Sequence, residues 1–379
     1  MSRRGENIRK RSDGRWEGRY IKERDATGRA IYGSVYAKTY LETKRKLTEI
    51  NSQIANGALP TKVQKKTFRE VLYLWLENNR IKLKPQTYAN YYYMIETHLV
   101  PCVDAMKICD VDSQFINAFL LQKSVNGRLD GKGALSPSYV KKIAFIMNAS
   151  LEYASKQNLC THIRGEIATP PKRKRELEVL TLPEQTKMDF FLNDTFDDRD
   201  IGILLSLYTG LRIGEVCGLM CTDFNFETQT FHVRHTVERI KNVDARVGEN
   251  KTILVLCDAK TLSSDRIVPI PPILIPRLKQ IISKGNMFLL EGGTYEYTDP
   301  RSYQYYFSRR LREGNLRKIN YHALRHTFAT RCIEAGMDIK SLSEILGHAS
   351  VNITLNTYVH SSIEHKRNQI EKMVAYCGQ

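Results

Sequence analysis

A chain of 379 residues with 42% hydrophobic content is long enough for two or three domains with cores of their own, which excludes wholesale disorder. Lysine and arginine outnumber aspartate and glutamate by 58 to 41, a net charge of +17, and an excess of that size points to a polyanionic partner. No apolar run approaches the roughly 18 residues of a membrane span, MSRRGENIRKRSDG lacks the apolar segment of a secretory signal, and the 8 cysteines form no CxxC pair. Disulfide scaffolds and zinc fingers are therefore excluded, and reduced thiols in a cytoplasm are expected.

The first sixty residues hold 14 Lys/Arg against 7 Asp/Glu. Within them, Arg15–Ile21 and Ala30–Ala37 mix aromatic and β-branched residues across a turn-forming stretch, Arg24 to Gly28, and predict a hairpin. Thr39 and Glu42 form a capping box, followed by Leu47, Ile50 and Ile54 at helical spacing before Gly57. The expectation for residues 1–60 is a small basic β-sheet carrying one helix. A merely solvated basic tail is opposed by Trp16, Tyr20, Tyr32 and Tyr36, and Arg15 and Arg19 are candidate DNA contacts.

Leu59-Pro60-Thr61-Lys62 reads as a linker. A second capping box, Thr67 with Glu70, opens a helix whose Phe68, Val71, Leu72, Trp75 and Leu76 share one face. Further helices are predicted over Pro85–Leu99, over Asp112–Gln122, and from Ser136-Pro137, where serine caps and proline takes the first helical position. Residues 66–165 are thus expected to be all-helical, with Lys82, Lys84, Lys141 and Lys142 on polar faces as candidate phosphate contacts or simply solvated charges. Thr169-Pro170-Pro171-Lys172-Arg173-Lys174-Arg175 is an extended link. Its cations allow a nuclear signal, but beside basic segments on both sides, Lys172 and Arg173 fit better as contacts to a phosphate backbone.

From Thr181 to the end the pattern is mixed, mainly helical with strand-like Thr230–Val237 and Ile253–Cys257, the second expected to pair with Asp265–Ile270 across a loop bearing Lys260. This describes an α+β domain with a small antiparallel sheet. Five stretches there carry chemistry: Tyr208 to Glu215 (YTGLRIGE), Ala259 to Arg266, His322 to Thr327 (HALRHT), Leu346-Gly347-His348, and Tyr358. A glycine turn delivers Arg212 to a helix start, where Glu215 on the same face can orient its guanidinium. His322 and Arg325 share a face, and Gly347 is a helix-ending glycine beside His348.

In order, spacing and intervening hydrophobic pattern, TGLRIGE, the KT-x-x-S-x-R hairpin, HALRHTFAT and LGHASVNITLNTY resemble the signature of tyrosine recombinases, the phage-integrase family. The likeness is close over residues 180–365 and weaker over the helical domain, while the basic N-terminus resembles the arm-binding domain of integrases from conjugative transposons. The resemblance implies an arm-DNA-binding domain at 1–60, a core-DNA-binding domain at 66–165 and a catalytic domain at 176–379. It implies a bacterial, DNA-associated recombinase that needs neither metal nor ATP. Its partners would be double-stranded DNA at core and arm sites, further copies in a tetrameric synapse, and an accessory excision factor.

The residue types suit phosphodiester cleavage. Two arginine forks, Arg212 and Arg325, match the charge on the non-bridging oxygens of the transition state. His348 can donate to phosphate. Tyr358 is the candidate nucleophile, its phenol needing either nearby cations or His322 to remove its proton. Lys260 resembles the family's general acid for the leaving 5′-oxygen. His322 and His326, four residues apart, could suggest zinc, but the glutamate of HExxH and a third ligand are missing. His326 is expected to pack or to hydrogen-bond locally, and Tyr321 and Tyr376 are poorer nucleophiles by position. A terminal helix over Glu364–Tyr376 would pack on its own domain or dock on a neighbouring subunit. A type IB topoisomerase-like enzyme is disfavoured by the separate basic module, and a non-cleaving DNA-binding regulator by the complete set of reactive residue types.

Overall fold

The computed structural model describes residues 7–24, 29–55, 66–160, 167–171, 177–245, 250–258, 264–291 and 296–358, and in the terminal stretch 367, 370–371, 373–375 and 377. Lys172, Arg173, Lys260 and Tyr376 lie outside the described residues. The chain divides into two compact units, residues 1–83 with 91–172 and residues 84–90 with 173–379.

In the first unit, β1 (Ile8–Lys10), β2 (Trp16–Arg24) and β3 (Ala30–Ala37) form an antiparallel sheet in that order, carrying α1 (Tyr40–Ala55). The expected hairpin is β2–β3, with Gly18 opposite Val35 and Tyr20 opposite Gly33. Thr43 and Leu47 of α1 meet Gly18 on the inner face, where a Cβ would lie 3.1 Å from the Thr43 methyl. Glu17, 2% exposed, accepts from Arg9 Nε at 2.7 Å and from the Ser34 hydroxyl at 2.9 Å. Arg9 first and Ser34 next hold its carboxyl at about 2, outweighing burial. Arg15 and Arg19 are exposed; Arg15 pairs with Asp13 at 2.8 Å and lies over the Tyr36 ring.

The helical elements that follow are α2 (Phe68–Asn78), α3 (Pro85–Met94), a π-helical turn Ile95–Leu99, α4 (Val100–Val103), α5 (Ser113–Asn126) and α6 (Pro137–Lys156). The capping box at Thr67 is formed in both directions, and the five apolar residues expected to share a face on α2 are all buried. Lys82, Lys84 and Lys142 are exposed and Lys141 half-buried.

In the second unit, α7 (Leu182–Asp194) precedes α8 (Asp200–Thr209), whose sequence is apolar nearly all round and which is accordingly central. Then come α9 (Ile213–Gly218), β4 (Phe224–Asn225), β5 (Thr230–Val233), β6 (His235–Lys241), β7 (Thr252–Asp258), β8 (Arg266–Pro269), α10 (Ile275–Ile282) and α11 (Pro300–Glu313). The last three are α12 (His322–Glu334), α13 (Ile339–Leu346) and α14 (Val351–Tyr358). Asp200, fully buried, accepts from Arg310 at 2.8 Å and from the Tyr306 hydroxyl at 2.8 Å, an ion pair with its hydrogen bonds met.

The strand pairing departs from expectation. β8 does not pair with β7; it pairs with β5, Phe231 opposite Val268, in a sheet ordered β4-β5-β8. β7 instead pairs with β6, Val237 opposite Leu256. The expected single strand Thr230–Val237 is broken at Arg234, whose guanidinium binds Asp223 at 2.6 Å and turns the chain between two sheets. Burial decides it. Phe231 and Val268, both 1% exposed, share one core face that a local β7–β8 hairpin would have separated.

Gly210 ends α8 in the left-handed region at φ 69°, and a Cβ there would stand 2.6 Å from both Leu346 Cδ2 and Phe328 Cδ1. Gly210→Ala should therefore cost about 1–3 kcal/mol through backbone strain alone, more if α13 must shift. A lowered denaturant midpoint with unchanged slope would register it, and an unchanged midpoint would show that the turn relaxes freely.

Candidate active site

Three helix boundaries build the site. The turn after α8 delivers Arg212 to the start of α9, where its main chain is extended and its backbone N–H donates to Glu215 Oε2 at 2.9 Å. Arg212 Nη1 also donates to Glu215 Oε1 at 2.6 Å, so the expected orientation of the fork by Glu215 is present. Glu215 has a second cation that the sequence reading did not single out: Arg266 Nη2 meets Oε2 at 3.0 Å. Arg266 further donates through Nε to the Ile345 carbonyl at 2.6 Å, tying β8 to α13. Burial pushes the Glu215 carboxyl up, but Arg266 and then Arg212 outweigh it and hold it at about 2.

Arg325, 1% exposed, projects from the first turn of α12. Its Nη1 donates to the Gly210 carbonyl at 2.8 Å and its Nη2 to the Leu346 carbonyl at 2.7 Å, so one fork grips the ends of α8 and α13. These carbonyls sit at the negative ends of two helices, which offsets the desolvation of the guanidinium. Burial first, then Arg212, lowers its pKa to about 9, leaving it charged at neutral pH. His322 lies on the same helix start. Burial, then His326, Arg325 and Arg212, lowers its pKa to about 4.

Gly347 adopts φ 64° after α13 and turns the chain so that His348 faces the cleft. His348 Nδ1 lies 2.8 Å from the hydroxyl of Thr354, which is fully buried. Burial, then Arg325 and Arg212, brings its pKa to about 4 as well. Tyr358 ends α14, its ring nearly parallel to that of His348 at 10° and 6.4 Å between centroids. Its hydroxyl is 2.8 Å from Nδ1 of His326, a long-range bond where a local one was expected. Burial raises the phenol above its usual range, opposed by Arg325 and Arg212. Tyr321, 2% exposed, is committed elsewhere: its hydroxyl donates to the Gly202 carbonyl at 2.8 Å.

Arg212, Glu215, His322, Arg325, His326, His348 and Tyr358 all line one cleft of about 930 Å³. It holds two guanidiniums, neutral imidazoles and a phenol, a set that can bind a phosphodiester, neutralise its charge and attack it. Among the described residues no group of three or more His, Cys, Asp or Glu is arranged to hold a metal, and no helix is long and apolar enough to cross a membrane. The cleft thus unites Arg212, Glu215, His322, Arg325, His348 and Tyr358. Sequence reasoning missed Arg266 and Thr354 and set His326 aside. Arg266 was quoted within its motif, but nothing local indicated that it would meet Glu215, 51 residues away.

Residues 188–365 match the phage integrase family, and residues 67–123 match the N-terminal SAM-like domain of phage integrases. A XerC-like tyrosine recombinase of Caldanaerobacter subterraneus subsp. tengcongensis is 28% identical over 92% of this chain and 93% of that protein. The transposase of transposon Tn916 from Enterococcus faecalis is 29% identical over 52% of this chain, a match spanning about half (53%) of its own length. The fold is shared with the Tn1549 transposon integrase in complex with a circular intermediate DNA (TM-score 0.63, 22% identity, 80% of this chain and 99% of that one). It is shared also with a lambda integrase dimer bound to a core site (TM-score 0.55, 17% identity, 94% of this chain and 96% of that one).

Removing the charge of Glu215 leaves Arg266 buried without its anion. Glu215→Gln should cost about 3–5 kcal/mol at pH 7. Because the folded carboxyl sits at about 2 against an ordinary 4.5, its contribution is complete above the ordinary value and is lost as pH falls toward 2. Denaturant titrations of wild type and variant should differ most at neutral pH and converge between pH 5 and 2; a gap independent of pH would mean that charge is not what Glu215 supplies.

Proposed function

We propose that the chain, which matches the phage integrase family over residues 188–365 and 67–123, is a site-specific tyrosine recombinase similar to integrases of conjugative transposons, with Tyr358 as its nucleophile within a cleft assembled from a single chain. The observation that carries this reading is the convergence of Arg212, His322, Arg325, His348 and Tyr358 on one cleft. The Tyr358 oxygen attacks the scissile phosphorus, the 5′-oxygen leaves, and the DNA strand stays joined to the protein as a 3′-phosphotyrosine. Religation reverses the step on a partner strand, so the bond energy is conserved and ATP is not consumed. Two rounds pass through a Holliday junction and integrate or excise a mobile element.

Each residue has a role that follows from its surroundings. Arg212 and Arg325 hold the non-bridging oxygens, already oriented by Glu215 and by two helix-end carbonyls. A Thr354 hydroxyl donating to Nδ1 of His348 leaves the ring hydrogen on Nε2, the tautomer that donates to a phosphate oxygen. His322 lines the cleft on the first turn of α12 and supplies a second imidazole beside the phosphate. The incoming anion favours protonation of both rings, opposing the arginines that hold them neutral. Lys260 is the proton donor to the leaving 5′-oxygen.

The same reading assigns residues 1–60 to arm-site DNA, 66–165 to core-site DNA and 176–379 to catalysis. In support, Arg19 is exposed on β2 and Arg15 in the turn just before it, and Lys82, Lys84 and Lys142 are exposed among the helices; Lys141, Lys172 and Arg173 complete the set of phosphate contacts. A lambda integrase tetramer has been solved on a Holliday junction, and the working form of this chain is a tetramer on paired DNA ends, with an accessory factor favouring excision. The terminal segment 364–376 either packs on its own domain or links neighbouring subunits.

A duplex spanning the element end, nicked near the scissile phosphate, tests the assignment. Wild type should form a covalent adduct in chelator without ATP, and peptide mapping should place it on Tyr358. Tyr358→Phe should abolish the adduct and keep DNA binding. Arg325→Lys retains a charge but cannot grip both helix ends, and should slow cleavage by roughly 10²–10³-fold. Cleavage that requires magnesium and leaves no adduct would overturn the mechanism. Deleting residues 1–60 should weaken binding to distal arm sites and spare core sites; equal binding to both would remove the arm-domain assignment.

A further inference from the structure

An attacking phenol must lose its proton, and in this site burial raises the phenol rather than ionising it. The hydroxyl of Tyr358 already has a ring nitrogen within hydrogen-bonding reach. His326 Nδ1 lies 2.8 Å from it, with the rings 5.5 Å apart at 56°. His326 follows His322 by one helical turn on α12, and the two rings meet edge to face at 4.5 Å. α14 packs against both α12 and α13, which brings the end of the chain's last long described helix over this turn. His348, the other imidazole beside Tyr358, has its Nδ1 occupied by Thr354, and its ring lies nearly parallel to the phenol ring with centroids 6.4 Å apart.

Resting on the reading of Tyr358 as nucleophile, we propose that His326 is the general base of strand cleavage, its Nδ1 receiving the tyrosyl proton. As that proton moves, the electron pair of the O–H bond becomes the new bond from oxygen to phosphorus. The bond from phosphorus to the 5′-oxygen breaks with its pair on that oxygen, which takes a proton from Lys260. His326 is left as imidazolium beside the phosphotyrosine and returns the proton to Tyr358 when the strand is rejoined. Burial, and then Arg325, hold the ring below its ordinary range, with Glu178 opposing. It therefore starts unprotonated at neutral pH, as a base must. The negative charge of bound DNA increases its basicity at the moment it is needed.

The experiment uses the full chain and two nicked element-end duplexes, one natural and one with sulfur in place of the bridging 5′-oxygen. Thiolate leaves without a proton, so the sulfur duplex removes the need for an acid and leaves the need for a base. His326→Asn keeps an oxygen near the position of Nδ1 to hold the hydroxyl but cannot take its proton; His326→Ala removes both. Both variants should bind the natural duplex like wild type and form the adduct about 10²–10⁴-fold more slowly, with the defect persisting on the sulfur duplex. Lys260→Ala, in contrast, should be restored by sulfur. Near-wild-type cleavage by His326→Asn would reduce the residue to alignment and overturn the proposal, as would rescue of either His326 variant by sulfur. If the wild-type adduct maps to a tyrosine other than Tyr358, the reading of the nucleophile fails and the proposal falls with it, whereas an adduct on Tyr358 with no effect of His326 removes the proposal alone.

Discussion

A carboxylate that has almost no contact with water is tolerated only where cations meet its oxygens. Glu215 satisfies that condition with Arg212 on one side and Arg266 on the other, and the two pairings pull in different directions through the fold. Arg212 belongs to the turn after α8; Arg266 opens β8 and reaches the end of α13. One buried charge thereby fixes the distance between the turn that carries a fork and the helix end that precedes His348.

Burial first, reinforced by the same crowding of cations, leaves the imidazoles neutral. Arg212 and Arg325 disfavour protonation of both His322 and His348, beyond what burial alone imposes. On the proposed reading, a phosphodiester in the cleft would compensate the guanidiniums and let the rings donate hydrogen bonds, so that affinity for the phosphate and readiness for chemistry would share one origin.

Much of the site was legible in the sequence because its parts are local. Arg212 and Glu215 are one turn apart, as are His322 and Arg325, and Gly210 and Gly347 announce left-handed helix ends. The capping box at Thr67 rests on the same short-range geometry. What escaped depends on contacts across long stretches of chain. Arg266 finds Glu215 51 residues away, and His326 finds Tyr358 across 32. Strand pairing escaped in the same way: β7 and β8 are neighbours in sequence, yet β7 pairs with β6 while β8 reaches past Arg234 to β5, where Phe231 and Val268 share a buried face.

The grip of Arg325 on the carbonyls of Gly210 and Leu346 has a consequence for a protein that breaks DNA. Its two anchors come from helices more than a hundred residues apart in the chain, and each anchor exists only once its helix has ended in the correct turn. During synthesis the second anchor is made last, close to the segment that bears Tyr358. A chain that ends before α13 lacks the Leu346 carbonyl, so the Arg325 fork acquires its second anchor, and with it a fixed orientation, only as the last part of the fold is completed.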